Sequence, residues 1–178
     1  MARMMKLITL ILALAFAVTV VLNLTLGEEI TLTLAITFGV TLYHFAMRLA
    51  VGGVIDAVMK NQANYNAWWF RPRKGEEKFY SFLRVRKWKK FAPTYAPDTF
   101  DIKERTIEQI AMATCQAEVV HEVIVALSFL PLLLIIWFGE PLVFIITSLV
   151  SALIDTVFII LQRFNRPRLV KIIERSKK

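Results

Sequence analysis

Residues 117–161 read AEVVHEVIVALSFLPLLLIIWFGEPLVFIITSLVSALIDTVFIIL. Two long apolar stretches, 117–138 and 141–161, are parted only by Gly139-Glu140. Each is near or above the ~20 residues that carry a helix across about 30 Å of hydrocarbon. The run reads as a helical hairpin in a membrane. A second pair lies near the N-terminus, at 7–26 and 30–55, joined by Gly27-Glu28-Glu29. Arg3 and Lys6 precede its first stretch, and Ala13, Ala15 and Ala17 mimic a cleavage site inside it. The apolar run continues past those alanines, so an uncleaved helix is expected rather than a signal peptide.

The fold class expected is therefore all-α: a single membrane domain over 1–178 with four transmembrane helices as two hairpins. A loop at 56–116 joins the hairpins, and a tail follows at 162–178. Composition agrees. Of 178 residues 57% are hydrophobic, well above the roughly 45–50% of soluble domains. There are 22 Lys and Arg against 14 Asp and Glu, a net charge of +8. Twelve basic residues fall in 56–116, seven after Leu161, and none at the two hairpin tips. Under the positive-inside rule this places both termini and the loop on the cytoplasmic side of the cell membrane. The basic excess then meets anionic lipid, and membrane lipids rather than nucleic acid are the expected partner. One cysteine, Cys115, excludes an intrachain disulfide.

The loop opens with Trp68-Trp69-Phe70, a pattern suited to the membrane interface. Residues 76–91, EEKFYSFLRVRKWKKF, interleave aromatic and basic side chains. They are expected to form a helix lying among the headgroups, ended by Pro93 and Pro97. Helical patterning resumes near Lys103 and runs into the third span.

Ionisable groups inside apolar spans cost at least ~2.5–3.5 kcal/mol each and need partners or a purpose. The second span carries His44 and Arg48; the fourth carries Asp155. Counted from the inner ends of their spans, Arg48 and Asp155 both lie roughly 10 Å below the cytoplasmic boundary. An Arg48–Asp155 ion pair is the expected neutralisation. The third span begins with Cys115, Glu118, His121 and Glu122 on one helical face. Glu-x-x-His suits general-base chemistry: a carboxylate, Glu118 or Glu122, orients the imidazole, and His121 takes a proton from a hydroxyl. The Arg163-Phe164-Asn165-Arg166-Pro167-Arg168 string supplies oxyanion or phosphate donors. Structural pairing of helices is the preferred reading for Arg48 and Asp155, and a functional one for Glu118, His121 and Glu122, since three ionisable groups on one face exceed what packing requires. A zinc site through His121, Glu118, Glu122 and His44 is a weaker rival, because di-iron bundles use Glu-x-x-His twice. A non-enzymatic lipid-binding or helper protein also stays open. No Gly-x-Ser-x-Gly, Walker loop or dinucleotide fingerprint occurs.

Four strings carry a resemblance: Glu77-Lys78-Phe79-Tyr80; Arg86-Lys87-Trp88-Lys89; Gln116-Ala117-Glu118 with His121-Glu122; and Gln162 through Arg168. Over about 68–168 the chain resembles the glycosyl-4,4'-diaponeurosporenoate acyltransferase family, linked to the last step of staphyloxanthin biosynthesis. Phe164 stands where that family leads one to expect tyrosine. The resemblance implies a membrane acyltransferase of carotenoid biosynthesis that moves a fatty acyl group onto a sugar hydroxyl. Its partners would be an acyl donor, such as an acyl-CoA co-substrate, and a lipid-soluble hydroxyl acceptor. No cofactor beyond the acyl donor and no metal are expected. The resemblance puts Glu118 and His121 at the reaction centre, and Gln162, Arg163, Asn165 and Arg166 around the substrates. Arg168, Arg48 and Asp155 complete the expected set from the residue reading.

Overall fold

A computed structural model describes residues 2–92 and 97–177, all-helical among them. Four helical segments are long and apolar enough to cross a membrane: Ala2–Leu26, Glu29–Met59, Ile107–Phe138 and Pro141–Ser176. The chain is thus a polytopic membrane protein with the expected number of spans. The helices run α1 (Ala2–Leu26), α2 (Glu29–Met59), α3 (Glu76–Phe82), α4 (Val85–Trp88), α5 (Ile107–Leu127), α6 (Ile135–Phe138) and α7 (Pro141–Ser176).

Helix α1 is apolar nearly all round, and only Thr19 of it is buried. Its hydroxyls do not offend the lipid. Thr9, Thr19 and Thr25 each donate to the carbonyl four residues back, at 2.9, 2.9 and 3.0 Å. Gly27, at φ +67, ends the helix where a Cβ would strain the backbone. At the other hairpin tip Gly139 (φ +68) and Glu140 (φ +52) turn the chain, and Pro141 starts α7, where its missing N–H costs nothing.

The chain divides into two compact units. The first comprises Met1–Gly52 and Val123–Ile154. Its core is Ile36, Val40 and Phe144, with Leu132, Ile135 and Val143 packed on them. Here α5 ends early. Pro131 has no N–H to give the carbonyl of Leu127, and the chain passes through a 3-10 turn, Leu130–Leu134, into α6. The freed carbonyl is met from α2: Tyr43 Oη donates to Leu127 O at 2.9 Å. Tyr43→Phe should remove that donor and cost about 0.5–2 kcal/mol. Reversible unfolding in bicelles would measure it. An unchanged midpoint would show that another group serves the Leu127 carbonyl.

The second unit comprises Gly53–Glu122 and Asp155–Lys178. Its core joins Tyr80, Val85 and Leu161, with Leu83, Trp88, Phe158 and Phe164 packed around them. One expectation is corrected here. Residues 76–91 are not one helix: Arg84 adopts φ +51, and α3, α4 and a 3-10 turn at Lys89–Phe91 follow one another. The break lets Tyr80 and Val85 both turn inward while Phe79, Phe82 and Phe91 stay exposed. The helix that carries the fourth expected span, 141–161, extends past Leu161. It runs through Pro167 to Ser176. A mid-helix proline removes one backbone bond and crowds the preceding turn. Burial of Leu161, Arg166 and Ile173 on either side of it offsets that cost. Helix α5 starts at Ile107, near Lys103, where helical patterning is expected to resume and run into the third span. Pro93, expected to break the interfacial segment, lies outside the described residues; Pro97 opens a 3-10 turn, Pro97–Phe100.

Candidate functional site

In the second unit the polar residues of α5 and α7 meet in antiparallel order. His121 contacts Asp155, Glu118 contacts Arg163 and Arg166, Thr114 contacts Arg166, and Glu108 contacts Lys177. Numbers fall along α5 as they rise along α7. Steps of three and four place Thr114, Glu118 and His121 on one face of α5.

Glu118 is wholly buried and Arg166 is 2% exposed. Glu118 Oε1 accepts from Arg163 Nη1 at 2.6 Å, and Oε2 accepts from Arg166 Nη2. Arg166 also donates to Thr114 Oγ1 and Thr114 O, both at 3.0 Å, and to Phe70 O at 3.3 Å. Its guanidinium lies 4.9 Å from the centre of the Phe70 ring. Arg163 reaches Glu76 Oε1 through Nε at 3.0 Å and Nη2 at 2.6 Å, and the carbonyls of Trp69 and Arg71 at 3.2 Å. Two carboxylates and two guanidiniums thus cancel in charge. Each of the five Arg163 N–H groups has an acceptor. The cluster ties α5, α7, the N-terminus of α3 and the Trp69–Arg71 backbone into one bracket. Buried ion pairs hold only when the remaining donors are satisfied, and here they are.

His121 is built differently. Its Nδ1 lies 2.7 Å from Asp155 Oδ1, and Asp155 is 1% exposed. The ring stacks on Phe158, with centroids 4.8 Å apart and 14° between planes. A carboxylate accepts, so the neutral ring carries its proton on Nδ1. Nε2 has no partner among the described residues, and the side chain is 21% exposed. Neither Glu118 nor Glu122 bonds the imidazole: Glu122 Oε2 accepts from Trp69 Nε1 at 3.0 Å. The carboxylate that holds the imidazole is therefore on α7, not one turn away on its own helix. Among the described residues no three His, Cys, Asp or Glu side chains are grouped to hold a metal.

The remaining expected residues are placed as follows. Asn165 Oδ1 accepts from Lys89 Nζ at 2.9 Å. Lys89 and Arg168 both lie over the Phe164 ring, 5.2 and 4.2 Å from its centre. Burial, and then nearby Arg168 and Arg86, push the Lys89 ammonium below its ordinary pKa. Arg168 is exposed, and Gln162 is half-buried. Arg48 belongs to the first unit, where Nη2 donates to Ser151 Oγ at 2.9 Å and Nη1 to His44 O at 3.0 Å. Sequence reading missed Glu76, Thr114, Trp69 and Phe70. Thr114 alone had a signal, lying one turn before Glu118 on the same face.

A sequence profile described as glycosyl-4,4'-diaponeurosporenoate acyltransferase matches residues 66–175. That stretch contains His121, Asp155, the whole Glu118 bracket and Phe164. No curated protein and no solved structure matches the chain.

Proposed function

Since the chain belongs to the glycosyl-4,4'-diaponeurosporenoate acyltransferase family and is an acyltransferase by that membership, we propose that His121, held by Asp155, is its general base. The reaction moves a fatty acyl group from an activated donor, such as an acyl-CoA, to a hydroxyl of a lipid-soluble, glycosylated acceptor at the inner leaflet. The carrying observation is the half-open imidazole: Nδ1 is fixed on a buried carboxylate while Nε2 has no partner among the described residues and is reachable.

The chemistry follows. The acceptor O–H gives its proton to His121 Nε2 as its oxygen attacks the donor carbonyl carbon. Asp155 stabilises the imidazolium and fixes the ring, by the logic of the catalytic triad. The tetrahedral oxyanion collapses, the bond to the donor's leaving group breaks, and the imidazolium returns the proton to that group. Gln162 lies seven residues after Asp155 on the same stripe of α7 as Phe158, and its amide is assigned as the oxyanion donor on that spacing. Glu118, Arg163 and Arg166 act as the bracket that sets α5 against α7. Arg168 and Asn165 keep donors for the substrates.

The Lys and Arg distribution supports placing both termini and the loop on the cytoplasmic side of the cell membrane. Exposed Phe79, Phe82 and Phe91, set among Lys78, Arg86, Lys87 and Lys90, suit anionic headgroups beside the site. Mass spectrometry of lipids from cells with and without the gene tests the reaction. An acylated glycolipid or carotenoid glycoside should vanish without the gene and return with it. Identical lipid profiles would overturn the reading.

A further inference from the structure

On the side of α5 roughly opposite the Glu118–His121 face, Lys60, Asn61, Gln62, Thr99, Arg105 and Gln109 line a cavity of about 230 Å³ floored by Met112. Among the described residues no acidic side chain lines it. Neither Lys60 nor Arg105 forms an ion pair among the described residues. The polar groups are donors in excess. Gln109 Oε1 accepts from Thr106 N at 3.0 Å, which leaves its Nε2 to face elsewhere. Thr106 Oγ1 accepts in turn from Gln109 N, a capping box that fixes the start of α5.

The other wall is held with equal care. Lys60 and Asn61 both adopt left-handed backbone, at φ +48 and +54. For Lys60 that conformation costs on the order of 1–2 kcal/mol, whereas asparagine tolerates it. Buried Gln116 maintains the bend: its Oε1 accepts from Asn61 N at 2.6 Å, and its Nε2 donates to Asp56 Oδ1 at 3.0 Å. Asp56 stands four residues before Lys60, where it would otherwise be free to neutralise it. Strain sustained beside uncompensated cations points to a ligand rather than to packing. A drug-sized ligand takes roughly 300–1,000 Å³, so this volume suits one small anionic group.

We propose that the Lys60–Arg105 cavity is a phosphate site, taking the phosphate ester of a soluble acyl carrier or of an anionic lipid headgroup. It goes beyond the reaction proposed above: it supplies the phosphate contact that Arg163 cannot, since every Arg163 N–H is engaged. Calorimetry with inorganic phosphate as the probe, on the full-length protein in phosphatidylcholine nanodiscs, tests it without any turnover. The parent should bind phosphate, Lys60→Ala/Arg105→Ala should bind at least tenfold more weakly, and Lys60→Arg should bind as the parent does. Thermal unfolding of each variant separates lost binding from lost folding. Displacement by coenzyme A assigns the site to a soluble carrier. A weaker apparent phosphate affinity in phosphatidylglycerol nanodiscs assigns it to a headgroup. No binding by the parent, equal binding by the folded double variant, or displacement by neither competitor overturns the proposal. His121→Ala should bind phosphate normally, so failure of the base assignment and failure of this site are told apart.

Discussion

His121→Ala is expected to transfer acyl chains about 10²–10⁴-fold more slowly than the parent, the usual worth of a positioned general base. The protein should still fold, because the side chain is at the edge of the second unit and its loss leaves the Glu118 bracket intact. Asp155→Asn is the sharper companion. An asparagine there can donate to Nδ1, which favours the tautomer with its proton on Nε2 and leaves no lone pair for the acceptor hydroxyl. A fall in kcat of comparable size is expected. Single-turnover transfer of a labelled acyl chain into nanodisc lipid measures both. If His121→Ala keeps the parent rate, the base lies elsewhere. If only Asp155→Asn is slow, Asp155 acts through some group other than His121.

Glu118 carries the second large effect, and it falls on stability. Removing its charge leaves Arg163 with Glu76 alone and deprives buried Arg166 of its counter-ion. Breaking a buried pair on one side costs about 3–5 kcal/mol, because the remaining charge stays out of water. Glu118→Ala should therefore expose the second unit: early thermal unfolding in detergent and rapid trypsin cleavage at the basic residues of 84–90. Restoring a hydrophobic pair, Glu118→Leu/Arg166→Leu, should recover much of the loss. A Glu118→Ala protein that unfolds like the parent yet transfers no acyl group would instead make Glu118 a catalytic residue. That outcome would return it to the role its Glu-x-x-His spacing suggests.

Four spans, two hairpins and the basic loop were legible because each depends on local quantities: apolar length against bilayer thickness, and charge counted along the chain. So was the membership of the polar cluster, since Glu118, His121, Asp155, Arg163 and Arg166 all stand out as charges in apolar or near-apolar company. Who pairs with whom was not legible. The i, i+3 spacing of Glu118 and His121 puts them on one face, but each reaches across to α7, where His121 stacks on Phe158 and meets Asp155 while Glu118 meets Arg163 and Arg166. Whether a proline ends a helix is likewise settled by what is buried beyond it. Pro167 stays inside α7 because Arg166 and Ile173 are anchored on either side. The amino-acid order alone determined that acid, imidazole and guanidinium lie within reach of one another. Only the tertiary structure decided that the arginines close on Glu118 and leave His121 to Asp155, because a buried charge takes the partner that packing brings into hydrogen-bond range.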